Sequence, residues 1–277
     1  MMKFFFLTFV FIFSQAWGQN PNFFPKLPAQ KLEEGNIEVF YNLKFQHDSL
    51  NSDYIEEELM LLIAGKNFSV FSSYNIYKLD SINIHLDVVT AQKMRQNYFS
   101  VLPPPTRFNY FIYKNFPKGK ITTTGYIMPD QFKYSEPLLD KGWVLTREKK
   151  DISGYSAQKA TINFGGRSWV AWFTPEIPIS EGPYKFSGLP GLIIFLHDTQ
   201  NHYVFEMVSF SQNTNRSIEF PEKRYIDISK HSFLKAEGAF RENIIGMAKE
   251  YGLDNHAQQI AAENMRRRNN PIELTAD

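Results

Sequence analysis

His197 and His202 are the side chains best placed to bind a transition metal, because they bracket the loop Asp198-Thr199-Gln200-Asn201 of a hairpin. In the simplest register they oppose one another across two strands, with both imidazoles on one face. Two imidazoles can hold Zn²⁺ or Cu²⁺, yet Glu206, on the same face, stands four residues from His202, roughly 13 Å along the strand. The two histidines alone are a minimal metal candidate, and no cofactor is assigned. Adjacent carboxylates occur at Glu33-Glu34 and Glu56-Glu57-Glu58. Neighbours on a strand point to opposite faces, so these read as solvated edges and not as acid–base pairs. Ser187 precedes Gly188 but lacks the glycine two residues earlier that a nucleophile elbow requires, and neither H-E-x-x-H nor a phosphate loop is present. The aromatics offer more. Trp169, Trp172, Phe173, Tyr184 and Phe186 gather around one stiff corner, and Trp169, Trp172 and Phe186 are the candidate surface for an apolar small molecule. The same rings would equally fill an ordinary core.

The elements that must carry these residues are strands. Hydrophobic alternation runs from residue 36 to about residue 220, starting with Ile37, Val39, Tyr41, Leu43 and Phe45 on one face. Similar runs follow at 54–63, 68–73, 108–116, 121–128, 143–147, 157–164, 167–174, 192–197 and 202–210. Gly165-Gly166 supplies the positive φ of a two-residue hairpin turn. That turn sets Thr161 opposite Val170, Ile162 opposite Trp169 and Lys159 opposite Trp172, and both faces then carry aromatic bulk. One interruption, Asp80 to Phe99, reads as a helix capped at Asp80 or Ser81. Past Pro221, Ser229 caps a helix bearing Phe233, Phe240, Ile244, Met247 and Tyr251, which Gly252 ends, and Asp254 caps a second one. The helical part spans about 229–268, and the polar tail from Asn269 is expected to be mobile. The expected fold is mainly β with C-terminal helices, a curved antiparallel sheet or open barrel covered by helices.

Composition narrows the function. The chain has no cysteine, which excludes a disulfide framework, a thiolate nucleophile, a Cys-ligated zinc and the lipidated cysteine of a lipoprotein. Thirty basic residues against twenty-nine acidic ones give no field to steer nucleic acid. The cluster Arg266-Arg267-Arg268 complements the carbonyl end of a helix. Residues 1–18 read as a signal peptide, with Lys3, the apolar run Phe4 to Phe13 and small residues at Ala16 and Gly18. Ten residues make roughly 15 Å of helix against a bilayer core of about 30 Å, so cleavage is expected rather than anchoring. Residues 19–277 then form a single exported domain, periplasmic or secreted, with no later membrane span.

In Gly188-Leu189-Pro190-Gly191-Leu192-Ile193, proline followed by glycine is what the centre of a type II turn requires, and Gly188 permits close backbone contact. This corner launches an apolar strand. The block Asp151 to Ile193, DISGYSAQKATINFGGRSWVAWFTPEIPISEGPYKFSGLPGLI, resembles the GLPGLI family of exported proteins from Bacteroidetes-type bacteria. The I-x-G-Y start, the Q-K-A-T and G-R-x-W-x-A-W-F strands, and the I-P-I and G-P-x-K-F turns all fit, and weaker features extend the resemblance over most of 37–210. It implies an exported envelope protein without implying a reaction. The family often has a cysteine where this chain has Ala157, so a thiol role at that position does not apply. With no catalytic motif in hand, the expected function is non-enzymatic binding of an apolar ligand or an outer-membrane partner. A metal-handling protein or enzyme and an envelope assembly factor are the alternatives.

Overall fold

The computed structural model describes residues 28–85, 103–250 and 252–276. The expected signal peptide lies outside the described residues, as do the end of the helix expected over 80–99 and Tyr251. Among them lie fourteen strands: β1 (Ala29–Glu34), β2 (Ile37–Phe45), β3 (Glu56–Ala64), β4 (Ser69–Ser73), β5 (Tyr110–Lys114), β6 (Lys120–Ile127), β7 (Asp130–Pro137), β8 (Val144–Ile152), β9 (Tyr155–Phe164), β10 (Arg167–Thr174), β11 (Leu192–Asp198), β12 (Tyr203–Ser211), β13 (Ser217–Pro221) and β14 (Tyr225–Asp227). Helix α1 (Tyr74–His85) follows β4, and α2 (Lys230–Glu242), α3 (Ile244–Glu250) and α4 (Asn255–Arg266) close the chain.

Twelve strands form one open sheet in the order β14-β7-β6-β5-β4-β3-β2-β12-β11-β10-β9-β8, antiparallel except for the β14–β7 edge pair. The sheet is strongly curved. Lys185, on the connection between β10 and β11, bonds the Tyr134 hydroxyl of β7 at 3.1 Å and lies 5.8 Å from the Phe164 ring of β9. Those two strands stand nine places apart in the sheet, roughly 43 Å if it were flat. The result is a half-barrel. Its inner face carries Tyr41, Leu43, Leu196, Phe205, Trp169 and Ala171, all buried, as the alternation predicts. On the outer face of β3 to β5, Leu61, Ile63, Val70 and Tyr113 form a second core with Ile218, against the separate β1–β13 ribbon.

The helix expected to start at Asp80 or Ser81 instead starts at Tyr74. The Ser73 hydroxyl accepts the Asn75 amide, so the start signal sits at the end of the buried strand β4. Ser229 and Asp254 cap α2 and α4 as expected, their side chains accepting from the Ser232 and Ala257 amides. The first C-terminal helix is broken at Asn243. The tail contradicts its expected mobility: Asn270, Ile272 and Glu273 are buried. Its polar groups have partners too far away in sequence to be read locally.

Candidate functional site

Residues 175–191 leave β10, turn inside the half-barrel and return as β11. Gly191 has φ +151°, and a Cβ there would lie 2.2 Å from the Thr174 carbonyl oxygen; at Gly188, φ +92°, it would lie 2.4 Å from the Asp140 carbonyl oxygen. Both positions therefore exclude any side chain. The turn itself differs from expectation. The Gly191 amide donates to the Leu189 carbonyl at 2.8 Å, a three-residue turn centred on Pro190, and the Leu192 amide goes to Ile177 at 3.0 Å. A type II turn would have bonded Leu192 back to Leu189. The competing partner is Ile177, which the connection brings alongside.

This tight corner seats Phe186 at the centre of the interior. Its ring lies 4.9 Å from Trp169, 5.4 Å from Phe164 and 5.9 Å from Trp143, and Trp143 Nε1 donates to the Ser187 carbonyl at 2.8 Å. Trp169 and Phe186 are 1% and 0% exposed. Trp172 lies on the other face of the sheet, with the Lys150 ammonium 4.2 Å from its ring centre. At the opposite end of the connection, buried Lys114 donates to the Gly182 and Phe186 carbonyls at 2.7 and 3.0 Å and pairs with Glu181. Burial pulls the Lys114 pKa below its ordinary value against the opposing effect of Glu181.

The histidine pair is not formed. His197 pairs with Val204, and His202 lies in the loop beyond the ladder. The Asp198 carboxylate accepts the Tyr203 amide at 2.9 Å, which closes the hairpin one residue later on β11 than expected. The His202 Nδ1 stands 3.2 Å from Arg167 Nη1, and the His197 Nδ1 stands 3.0 Å from the Asp198 carbonyl. Glu206 pairs with Phe195, and among the described residues no three His, Asp or Glu side chains converge as metal ligands. Two carboxylates expected at solvated edges have specific duties instead. Glu33 accepts the amides of Lys66, Asn67 and Phe68 in the β3–β4 turn, and buried Glu58 accepts from Ser73, Thr106 and the Arg107 amide.

The charged interior was missed. Glu273, on the tail, receives the Tyr184 hydroxyl and pairs with Lys185 and Lys230, while Glu136 pairs with the same two lysines. Two ammoniums and two carboxylates balance. Burial works against the Lys185 ammonium, but Tyr134, Glu273 and Glu136 outweigh it and hold its pKa above the ordinary lysine value. Burial also pushes the Tyr134 hydroxyl up to about 12. Arg167 clamps the tail from the other side, donating to the Ile272 and Pro271 carbonyls and to Asn270 Oδ1 at 3.1, 2.7 and 2.6 Å. Lys185 was visible as the lysine of the G-P-x-K-F turn, but nothing local marks Glu273 as its partner.

Outside, the face of β8 to β12 carries the row Val144, Thr161, Val170, His197 and Val204, set by the observed registers. A partly open groove of about 260 Å³ lies here, lined by Val144, Thr161, Ile162, Ser168, Trp169 and Val170 among others. β8 is the edge strand, and Val144 and Leu145 at its start are 63% and 52% exposed.

Fold and site together define an open, mainly antiparallel half-barrel with helices at its C-terminal end and a plugged, internally charge-balanced interior, its sheet edged among the described residues by the short β14 and the long β8. Over residues 166–195 the sequence matches a family model described as a protein of unknown function (Porph_ging). No curated protein matches the chain. Among solved structures it is similar to PNGF-II in the P21 space group, with TM-score 0.48 and 13% identity over 75% of this chain and 34% of that one. The C2 form of PNGF-II gives TM-score 0.47 and 15% identity over 74% and 33% of the two chains. The chain thus spans about a third of the length of those structures. Among the described residues no helix is long and apolar enough to cross a membrane.

Proposed function

We propose that this is an exported, non-enzymatic binding protein of the cell envelope that takes an extended acidic segment of a partner protein along the edge strand β8. The observation that carries the reading is that edge. Its nine residues, bulged between Leu145 and Lys149, have no strand partner on the outer side among the described residues, and the exposed Val144 lines the open groove. An exposed edge supplies amides and carbonyls for a docking strand, here on either side of the bulge where Thr146 is engaged by Gln158 and Glu148, and the groove beside its start takes a side chain. Volumes of about 300–1,000 Å³ that enclose most of the ligand are usual for small-molecule sites, so an open groove of about 260 Å³ suits a side chain better.

Charge supports an acidic occupant. Arg147 and Lys149 lie exposed on β8 and Lys141 precedes it, while Glu148 is engaged by Lys159 at 2.9 Å and Asp151 accepts the Gly154 amide. The expected export and the resemblance to the GLPGLI proteins supply the compartment. The two interior rings proposed for an apolar ligand, Trp169 and Phe186, pack on each other, which favours the partner reading over the carrier one.

The test is site-specific photo-crosslinking in producing cells, with the reactive side chain at Leu145 or, as a control, at the exposed Leu50. One discrete adduct is expected from Leu145 alone, lost when Arg147 and Lys149 are both changed to Glu. Hydrogen exchange of residues 144–152 should slow in the complex. Identical adducts from both positions, or only a crosslink to a second copy of this chain, would refute the proposal.

A further inference from the structure

We infer that the groove at the start of β8 is the specificity pocket of the docking edge and takes one tyrosine side chain of the partner segment. The ring lies on the apolar floor and the hydroxyl meets the polar wall. The inference rests on the reading of β8 as a docking edge and names the residue which that edge selects.

The groove exists because β8 leaves the sheet early. Its ladder with β9 ends at Val144 opposite Thr161, whereas β9 stays paired with β10 as far as Phe164 opposite Arg167. Upstream of Val144 the chain turns away. Gly142 has φ +90°, and Trp143 Nε1 is drawn to the Ser187 carbonyl at 2.8 Å. Ile162 and Asn163 are left with no strand beside them on the β8 side among the described residues, and the gap there is the groove.

Its lining divides by chemistry. Val144, Ile162 and Val170 are apolar, while Thr161, Asn163 and Ser168 carry hydroxyls and an amide. The Ser168 hydroxyl donates to Asn163 Oδ1 at 2.7 Å, which leaves the Asn163 amide hydrogens and the Thr161 hydroxyl without a protein partner among the described residues. No lining residue is charged. A carboxylate or ammonium entering here would lose water and gain no countercharge, so the occupant is neutral. Size narrows the choice. A cavity of about 150 Å³ holds benzene, so a groove of about 260 Å³ takes a six-membered ring with room for a substituent. A ring with a polar tip wants an apolar body and a hydrogen-bond partner, and this lining offers both. Tryptophan is a donor only and would leave the Asn163 amide hydrogens unused, whereas a phenol both donates and accepts.

Reach connects the ring to the acidic part of the segment. On a strand docked along β8, a residue in register with Val144 stands about 4.8 Å from it, and aromatic side chains reach diagonal neighbours about 7–8 Å away. Arg147 and Lys149 follow three and five residues later, roughly 10 and 16 Å along β8 before the bulge shortens the path. The partner's acidic residues thus lie within about five positions of its tyrosine.

The experiment titrates N-acetyl-tyrosinamide, N-acetyl-phenylalaninamide and N-acetyl-glutamate amide separately into the full chain at constant ionic strength, with binding read by chemical-shift perturbation. The tyrosine compound should bind saturably and shift Thr161, Ser168 and Val170. The phenylalanine compound should bind about fivefold more weakly for one lost hydrogen bond, and the glutamate compound should not saturate. Asn163→Ala combined with Ser168→Ala should level tyrosine and phenylalanine, a change that a folding defect does not produce. Val170→Trp fills the groove and should abolish binding of both. Equal affinity for the two aromatic compounds in wild type, saturable binding of the glutamate compound, or no shift at the groove would overturn the inference. A Leu145 adduct in cells without groove binding overturns the tyrosine anchor and leaves the docking edge standing. Groove binding without that adduct overturns the edge and, with it, the anchor's role.

Discussion

Replacing Glu273 by Gln keeps the shape of the tail and removes one charge from the interior. Glu273 is 4% exposed, and the change leaves Lys185 and Lys230 sharing only Glu136. Removing one partner of a buried ion pair costs about 3–5 kcal/mol. For a domain of this size each kcal/mol moves Tm by about 2–4 °C, so a fall of about 6–20 °C at neutral pH is expected in calorimetry. The pH dependence gives a second reading. Burial raises the Glu273 pKa, but Lys185 and Lys230 outweigh it and hold the carboxyl below its ordinary value. The unfolded chain therefore binds this proton more tightly than the folded one. The contribution is fully present above the ordinary glutamate pKa and drains away as pH falls through the lower folded value. The Tm difference between wild type and variant should accordingly shrink in acid. A variant within about 2 °C of wild type at neutral pH, less than the lower end of the expected shift, would mean that the tail does not hold the interior together.

Gly191→Ala combines a positive φ with a Cβ on the Thr174 carbonyl, and about 2–6 kcal/mol of destabilisation is expected in urea unfolding. Gly119→Ala, with φ +80° and nothing within 4 Å, should cost only the backbone strain, about 1–3 kcal/mol. Ser229→Ala removes the cap that accepts the Ser232 amide and should cost about 1 kcal/mol by the same assay. His197→Ala should leave metal content measured by plasma mass spectrometry unchanged, because His202 lies outside the ladder.

Where structure was set by nearest neighbours, the sequence was readable. The β9–β10 hairpin has the expected register throughout because Gly165-Gly166 fixes the turn and alternation fixes the faces. The β11–β12 hairpin shows how such reasoning fails by a single step. Sliding it by one residue on each strand preserves parity, so Leu196, Tyr203 and Phe205 still face the core, but the slide carries His202 into the loop. The decisive interaction, the Asp198 carboxylate on the Tyr203 amide, is a side-chain choice that hydrophobic pattern does not encode. Strand β7 was hidden by its polar sequence, and Glu273 by the 88 residues that separate it from Lys185.

The glycine-rich corner acquires a specific purpose from these contacts. Gly188 and Gly191 are required where the connection crosses the backbone at Asp140 and Thr174, and only that close crossing lets Lys185 and Phe186 turn inward together. One places the central ring and the other the central charge. A longer or bulkier corner would force the two apart, leaving Glu273 without Lys185 or the aromatic interior without its centre. The six-residue motif and the buried tail are thus two halves of one structural unit, although the whole connection from β11 to α4 separates them in sequence. That unit consumes the inner face and leaves the β8 edge, with Val144 and Leu145, exposed.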